Sequence, residues 1–89
     1  SSPVYLFGAH VFSQYLIQEG LNTRKIKYIL DNDNNKHYKR LYGSNLEVRP
    51  PKVLLNDENP LIILKAGVYN DEIRSDILEN INSSAVFLE

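Results

Sequence analysis

Short apolar runs alternate with segments of helical periodicity along this chain. Val4–Phe7 and Leu61–Leu64 are compact four-residue apolar runs, each preceded by a proline. Such runs are typical of strands that are buried on both faces of a parallel sheet. Ile26–Leu30 predicts another strand, which ends at the turn-forming segment 31–35, and residues 85–88 predict a last one.

Two segments between these strands carry apolar residues at helical spacing. The first runs from Val11 and ends near Gly20, and its apolar face holds Val11, Phe12, Tyr15 and Leu16. The second begins at Asn70, a predicted N-cap that is followed by two acidic residues in the first turn. Its apolar face holds Ile73, Ile77, Leu78 and Ile81.

The middle of the chain, 37–59, is less regular. Residues 46–48 predict a short strand, and Pro50 with Pro51 predicts one helical turn through Leu55. Strands that alternate with helices predict a small Rossmann-like three-layer α/β domain with a mostly parallel sheet of about five strands. In the order 3-2-1-4-5 the switch point lies between the first strand and Leu61–Leu64, so the loops at Gly8 and Gly67 are expected to meet there.

Composition narrows the class of protein. The chain has 89 residues, which suffice for one domain (1–89) and leave little room for a second hydrophobic core. A net charge of −1 with 24% charged residues supplies no electrostatic footprint for nucleic acid or a membrane surface. Zero cysteines and two histidines argue against a metal site. The compartment stays open, with the cytoplasm as the default expectation.

The turn after the first strand begins like a dinucleotide-binding turn but lacks its later glycines. If Gly8 is the first glycine of G-x-G-x-x-G, the next two positions are His10 and Ser13. Side chains there disfavour tight binding of NAD or FAD. A phosphate, a carboxylate or part of a nucleotide sugar could still sit less deeply at the helix N-terminus. The alternative is a relic turn that holds no ligand.

Other candidate residues lie at the same predicted edge. Asp31 follows Gly8 by 23 residues, which is close to the ~20-residue spacing at which an acid takes ribose hydroxyls, and an Asx-turn is the alternative. Tyr69 could stack on a base or sugar, and Asn70 could hydrogen-bond it or serve only as a helix cap. His37 and the basic residues Lys36, Lys39 and Arg40 are interpreted as a solvated face, with attraction of phosphate as the alternative.

No complete catalytic set is present in the sequence. His10 is the single candidate general base, since imidazole titrates near neutrality. We find no nucleophile, base and orienting group in a recognisable pattern and no P-loop. The chain by itself is therefore not expected to be catalytic.

Three segments together resemble a known family: "VYLFGAHVFSQYLIQEG", "YILDNDNNKHYKRLYGSNLEVRPPKVL" and "PLIILKAGVYNDEI". They resemble the Rossmann-like C-terminal domain of sugar C-methyltransferases and related S-adenosylmethionine-dependent methyltransferases of surface-polysaccharide gene clusters. The resemblance covers nearly the whole chain, but His10 and Val11 stand where relatives often have small residues. A similar turn opens the nucleotide-sugar-binding domain of sugar N-acetyltransferases, which continue into a hexapeptide-repeat helix absent here.

The resemblance implies that a class I methyltransferase domain precedes this domain and binds S-adenosylmethionine, which this domain itself does not bind. It implies a substrate-binding role, with a nucleotide-linked sugar and the N-terminal domain in cis as partners. Together with the turn, it implies these substrate-binding positions: Gly8, Ala9, His10, Asp31, Gly67, Tyr69 and Asn70. The alternatives are a non-catalytic interaction or regulatory module with a relic Rossmann fold and, disfavoured by His10 and Ser13, a small dinucleotide-binding enzyme domain.

Overall fold

Parallel strands form the centre of the protein in the computed structural model, which describes residues 2–9, 13, 17–18, 20, 23–41 and 44–89. The strands are β1 (Val4–Phe7), β2 (Ile26–Leu30), β3 (Val48–Arg49), β4 (Leu61–Leu64) and β5 (Val86–Leu88). Within the described ranges they make one five-stranded sheet in the order β3-β2-β1-β4-β5, and every strand pairing is parallel. The predicted Rossmann-like α/β class and strand order are confirmed.

The central strand β1 fixes which loops become neighbours. It pairs with β4 in continuous register, from Val4 opposite Leu61 to Phe7 opposite Leu64. On its other side the register with β2 shifts by one residue, which marks a β-bulge in β2. Because Phe7 and Leu64 end their strands side by side, the loops that begin after them leave the sheet at the same edge. The predicted neighbourhood of the Gly8 and Gly67 loops is therefore confirmed.

Side chains of β1 alternate between two hydrophobic layers, as the period of a strand requires. Tyr5 and Phe7 face one layer, where Ile77 of the C-terminal helix (Asn70–Asn80) is 1% exposed. Leu6 faces the other layer, against which Ile17 packs. Burial of each such side chain contributes about 1.5–3 kcal/mol, so the sheet is stabilised from both faces.

The start of the C-terminal helix differs from the prediction. Asn70 has helical backbone angles (φ −56°, ψ −46°) and is the first residue of the helix, so its prediction as the N-cap is wrong. A 3-10 turn, Gly67–Tyr69, leads directly into the helix. The side-chain oxygen of Asn70 instead accepts a hydrogen bond from the Ala66 amide at 2.8 Å. The asparagine stabilises the preceding loop rather than the helix terminus.

Element boundaries in the middle of the chain also shift. β3 is Val48–Arg49 rather than 46–48, because the preceding residues pair back on their own loop: Leu41 donates to the Leu46 carbonyl at 2.8 Å. The predicted helical turn after Pro50 is present as a 3-10 turn, Pro51–Leu54. The last strand begins one residue later than predicted. The predicted apolar face of the first helix lies outside the described residues, while Ser13, Ile17 and Gln18 are helical.

Candidate functional site

A cleft of about 390 Å³ opens where β1 and β4 end. Its walls come from the turn after β1, the end of β2 and the loop after β4, and its lining residues are Phe7, Gly8, Asp31, Lys65, Ala66, Tyr69 and Ile73. This position is the topological switch point of the sheet, because the connections from β1 and β4 diverge there. We refer to it as the switch-point cleft.

The turn at Gly8 is closed by hydrogen bonds within the protein. Gly8 has φ 112°, a conformation that favours glycine, and its amide donates to the Leu30 carbonyl at 2.7 Å. The hydroxyl of Ser13 donates to the Gly8 carbonyl, and Ser13 is 1% exposed. Serine at the third position of the glycine pattern therefore has a structural use, since it ties the helix back to the strand end.

Asp31 connects the ends of β1 and β2. One carboxylate oxygen accepts from the Ala9 amide at 2.9 Å, and the other accepts from the Asp33 amide at 2.8 Å. The second contact is the Asx-turn that the sequence offered as the alternative. A carboxylate oxygen has more than one acceptor position, so the exposed 15% of this side chain can still receive a ligand hydroxyl. The Ala9 amide, in contrast, is already used.

Both backbone polar groups of Ala9, its amide and its carbonyl, are hydrogen-bonded to side chains. Lys36 Nζ donates to the Ala9 carbonyl at 3.0 Å and lies 3.9 Å from the nearer Asp31 oxygen. His37 is half-buried rather than solvated, with Nε2 at 2.5 Å from the Asp31 carbonyl. These contacts order the turn before any ligand arrives, which lowers the entropic cost of binding.

The opposite wall of the switch-point cleft is formed by the loop after β4, which holds an exposed tyrosine, Tyr69, and is followed by a hydrogen-bonded asparagine, Asn70. Gly67 has φ 63°, which lets the chain turn into the 3-10 segment. The Asn70 amide group donates to the Leu64 carbonyl at 3.4 Å and to Glu89 at 3.2 Å, so its side chain is occupied within the protein. Tyr69 is 63% exposed and lines the cleft.

A larger depression of about 570 Å³ shares Tyr69 and Ile73 with the switch-point cleft. Its acidic residues, Glu72, Asp76 and Glu79, belong to the C-terminal helix. The smaller cleft is the better candidate site, because it lies at the strand ends, where open α/β sheets bind their ligands. The larger depression is a helix flank with a negative charge.

The predicted site residues separate into distinct positions. Gly8, Asp31 and Tyr69 line the switch-point cleft, whereas Ala9 lines an adjacent pocket. Gly67 begins the 3-10 turn of the loop after β4, and the Asn70 side chain accepts a hydrogen bond from the Ala66 amide of that loop. His10 lies outside the described residues. Lys65 also lines the cleft and is not among the predicted site residues, although its place directly after β4 is a signal that the sequence contains.

The described residues contain no group of three or more His, Cys, Asp or Glu side chains placed to hold a metal ion. Over the same part of the chain, no helix is long and apolar enough to cross a membrane.

The sequence matches no protein-family model, and neither a curated protein nor a solved structure matches it. Fold and site together therefore define the class: a small α/β domain with a five-stranded parallel sheet among its described residues and a cleft at the switch point.

Proposed function

We propose that this chain is the C-terminal substrate-binding domain of an S-adenosylmethionine-dependent methyltransferase that acts on a nucleotide-linked sugar. The observation that carries the proposal is the switch-point cleft, which joins the Gly8 turn, Asp31 and Tyr69. The resemblance of three sequence segments to the C-terminal domain of sugar C-methyltransferases supplies the substrate class. S-adenosylmethionine would bind to the N-terminal methyltransferase domain, outside this chain.

The chemistry of the cleft suits part of a nucleotide sugar. The exposed face of Tyr69 can stack on a base or pack against a sugar ring. The Asp31 carboxylate can accept a hydrogen bond from a hydroxyl, and Lys65 adds a positive charge to the lining. Phe7 and Ile73 provide apolar surface. These groups bind and orient a substrate, and the transfer chemistry belongs to the preceding domain.

Binding to this domain alone is expected to be weak. The open cleft offers one side of an enclosure, and a second domain would exclude water from the other side. A half-site also loses the preorganisation of the closed one. We therefore expect dissociation constants in the range of about 0.1–10 mM for the isolated chain, which corresponds to about 2.7–5.5 kcal/mol of binding free energy.

The test is an NMR titration of the isotope-labelled chain with uridine- and thymidine-diphosphate sugars. We expect the largest amide shifts at Gly8, Asp31 and Ala66. Tyr69→Ala should weaken binding, whereas Val68→Ala should not, because Val68 is 91% exposed in the same 3-10 turn but does not line the cleft. Equal effects of the two variants, or no shift at millimolar ligand, would favour an interaction module over a substrate-binding domain.

A negative result is expected for the common dinucleotide and methyl-donor cofactors. The Ala9 amide donates to Asp31, so it is unavailable to a pyrophosphate that approaches the backbone of this turn. The sequence also has His10 where such a turn has its second glycine. Calorimetric titration with NAD and FAD should therefore show no low-micromolar binding. S-adenosylmethionine, which has no pyrophosphate, should not bind either, because the proposal places its site in the preceding domain. Low-micromolar binding of any of the three would contradict the assigned role.

A further inference from the structure

A pocket of about 310 Å³ next to Ala9 is lined by three basic side chains. Lys36, Lys39 and Arg40 contribute the charge, and Asn35 adds a polar amide. No acidic side chain belongs to the lining that the structure describes. Three like charges around one concave surface repel one another, so an anion in this basic pocket would be attracted by all three.

The segment that carries these cations is held in place by its backbone. The Tyr38 amide donates to the Val48 carbonyl at 2.7 Å, and the Val48 amide donates to the Lys39 carbonyl at 2.7 Å. Tyr38 has φ 65°, a left-handed conformation that is strained for a residue with a large side chain. The chain reverses at this strained residue, and Lys36 and Lys39 thereby line the same pocket.

The nearby carboxylates are already engaged. Glu47 pairs through the backbone with Arg40, but its carboxylate accepts from Arg49 and raises the pKa of that guanidinium. Arg49 in turn lies over the Tyr28 ring at 4.6 Å and the Tyr38 ring at 5.0 Å. Asp31 accepts from backbone amides and lies near Lys36 alone among the cations. Lys39 and Arg40 thus have no ion-pair partner among the described residues.

The charges on either side of the switch-point cleft are opposite in sign. The larger depression, which shares Tyr69 and Ile73 with the cleft, carries Glu72, Asp76 and Glu79. The basic pocket adjoins the cleft at the turn after β1, because Gly8 lines the cleft and Ala9 lines the pocket. A negative group of a ligand in the cleft would be repelled by the acidic helix and attracted by the lysines.

We propose that the basic pocket, through Lys36, Lys39 and Arg40, binds the diphosphate of a nucleotide-linked ligand whose remaining part occupies the switch-point cleft. Occupation of the switch-point cleft by the rest of the ligand rests on the proposed function, whereas binding of the diphosphate by the basic pocket does not. The Ala9 amide is taken by Asp31, so positive side chains replace the backbone amides that a glycine-rich turn would supply. The pocket explains how a turn without its second glycine can still serve a diphosphate ligand.

The test compares inorganic pyrophosphate, uridine diphosphate and uridine by NMR titration and calorimetry in phosphate-free buffer of low ionic strength. Pyrophosphate should shift the amides of Ala9 and residues 36–41, and uridine diphosphate should bind at least about tenfold tighter than uridine. Lys39→Gln combined with Arg40→Gln should remove most of that advantage. The charge-retaining pair Lys39→Arg with Arg40→Lys should keep it, and the amide spectrum of each variant verifies its fold.

The matched control is Lys25→Gln combined with Lys27→Gln. It removes two exposed positive charges as well, but at the start of β2, away from the basic pocket. Wild-type affinity for uridine diphosphate in the Lys39/Arg40 variant, or equal losses in both double variants, would overturn the pocket proposal while leaving the cleft proposal standing. Pyrophosphate shifts at residues 36–41 without any cleft shifts for diphosphate sugars would support the pocket and count against the proposed function.

Discussion

The two edges of the sheet differ in how many of their polar side chains are left without a partner inside the protein. At the amino edge, where strands begin, Asn82 donates to the Leu54 carbonyl at 2.6 Å and to the Asp57 carbonyl at 2.8 Å. The Asp57 carboxylate accepts from the buried Tyr5 hydroxyl. At the carboxyl edge, Tyr69 is 63% exposed, and Lys39 is exposed without an ion pair among the described residues.

This difference between the edges predicts that polar side chains at the amino edge stabilise the fold, whereas the unpaired ones at the carboxyl edge are available for binding. Among the described residues, no buried side-chain nitrogen or oxygen lacks a hydrogen-bond partner. The polar groups of the amino edge therefore hold loops together, and removing one leaves others unsatisfied. Free charges and an exposed ring at the carboxyl edge contribute little to folding and remain available to a ligand. Substitutions at the two edges should accordingly change different observables.

The largest effect is expected at Asn82. Asn82→Ala removes two donated hydrogen bonds and two accepted from Ser84, at 2.9 Å and 2.7 Å, in a side chain that is 9% exposed. We expect the free energy of unfolding to fall by about 3 kcal/mol in chemical denaturation. Asn80→Ala, an exposed asparagine in the same region, should change it by less than about 0.5 kcal/mol. Similar values for both variants would contradict the assigned role of Asn82.

Tyr5 should follow in magnitude. Tyr5→Phe keeps the buried ring but removes the hydroxyl that donates to Asp57. The expected loss of unfolding free energy is about 1–2 kcal/mol. Tyr69→Phe removes an exposed hydroxyl at the carboxyl edge and should have no measurable effect on thermal or chemical unfolding. A destabilising Tyr69→Phe would weaken the contrast between the edges.

Alkaline pH should act on the amino edge through the same tyrosine. Burial, followed by the hydrogen bond to Asp57, raises the pKa of Tyr5 above its ordinary value of 10.0. The folded state thus holds the phenolic proton more tightly than the unfolded state, so this stabilisation is complete below pH 10 and is lost as the pH rises further. Unfolding curves measured above that pH should show a falling stability that is shallower in Tyr5→Phe. Parallel pH dependence in the two proteins would contradict this linkage.

Asp31 lies at the carboxyl edge, but its carboxylate accepts hydrogen bonds from two backbone amides and therefore contributes to stability. Asp31→Ala should lower the unfolding free energy by about 1 kcal/mol, because the Ala9 and Asp33 amides lose their acceptor. Hydrogen exchange should accelerate at these two amides. Asp71→Ala, which removes an exposed carboxylate that pairs with Arg74, should change stability less. Unchanged exchange at Ala9 would show that its hydrogen bond is not maintained in solution.

The smallest effect on stability is expected in the basic pocket. Lys39→Gln combined with Arg40→Gln should leave the unfolding free energy within about 0.5 kcal/mol of wild type, with any change toward higher stability as like-charge repulsion is relieved. Denaturation of this variant beside the Lys25→Gln and Lys27→Gln control provides the measurement. A large loss of stability would mean that these cations belong to the fold and not to a ligand.

The strands could be predicted from the sequence because their signals are local. The bounds of β1 and β4 agree with the compact apolar runs, since such runs are buried whichever partner they meet. The bounds of β2 also agree with the prediction, although Lys27 within it is exposed. The predicted N-cap role of Asn70 is wrong because its side chain accepts a hydrogen bond from the Ala66 amide of the preceding loop, an alternative that the helix-start pattern does not reveal. The predicted bounds of β3 differ from the observed ones because Leu46 pairs with Leu41 in a local turn.

For the candidate site, the apolar pattern is enough to predict which residues follow the strand ends: Gly8, Asp31 and the loop before Tyr69. The contacts of those residues depend on the folded structure. Asp31 binds the Ala9 amide, and Lys36 binds the Ala9 carbonyl, across more than twenty residues of chain. Such contacts depend on the register of β1 against β2 and on a strained turn at Tyr38, neither of which leaves a periodic mark in the sequence. Hydrophobic periodicity specifies which faces are buried, whereas the pairing of polar groups at a sheet edge depends on distances that exist only after the chain has folded.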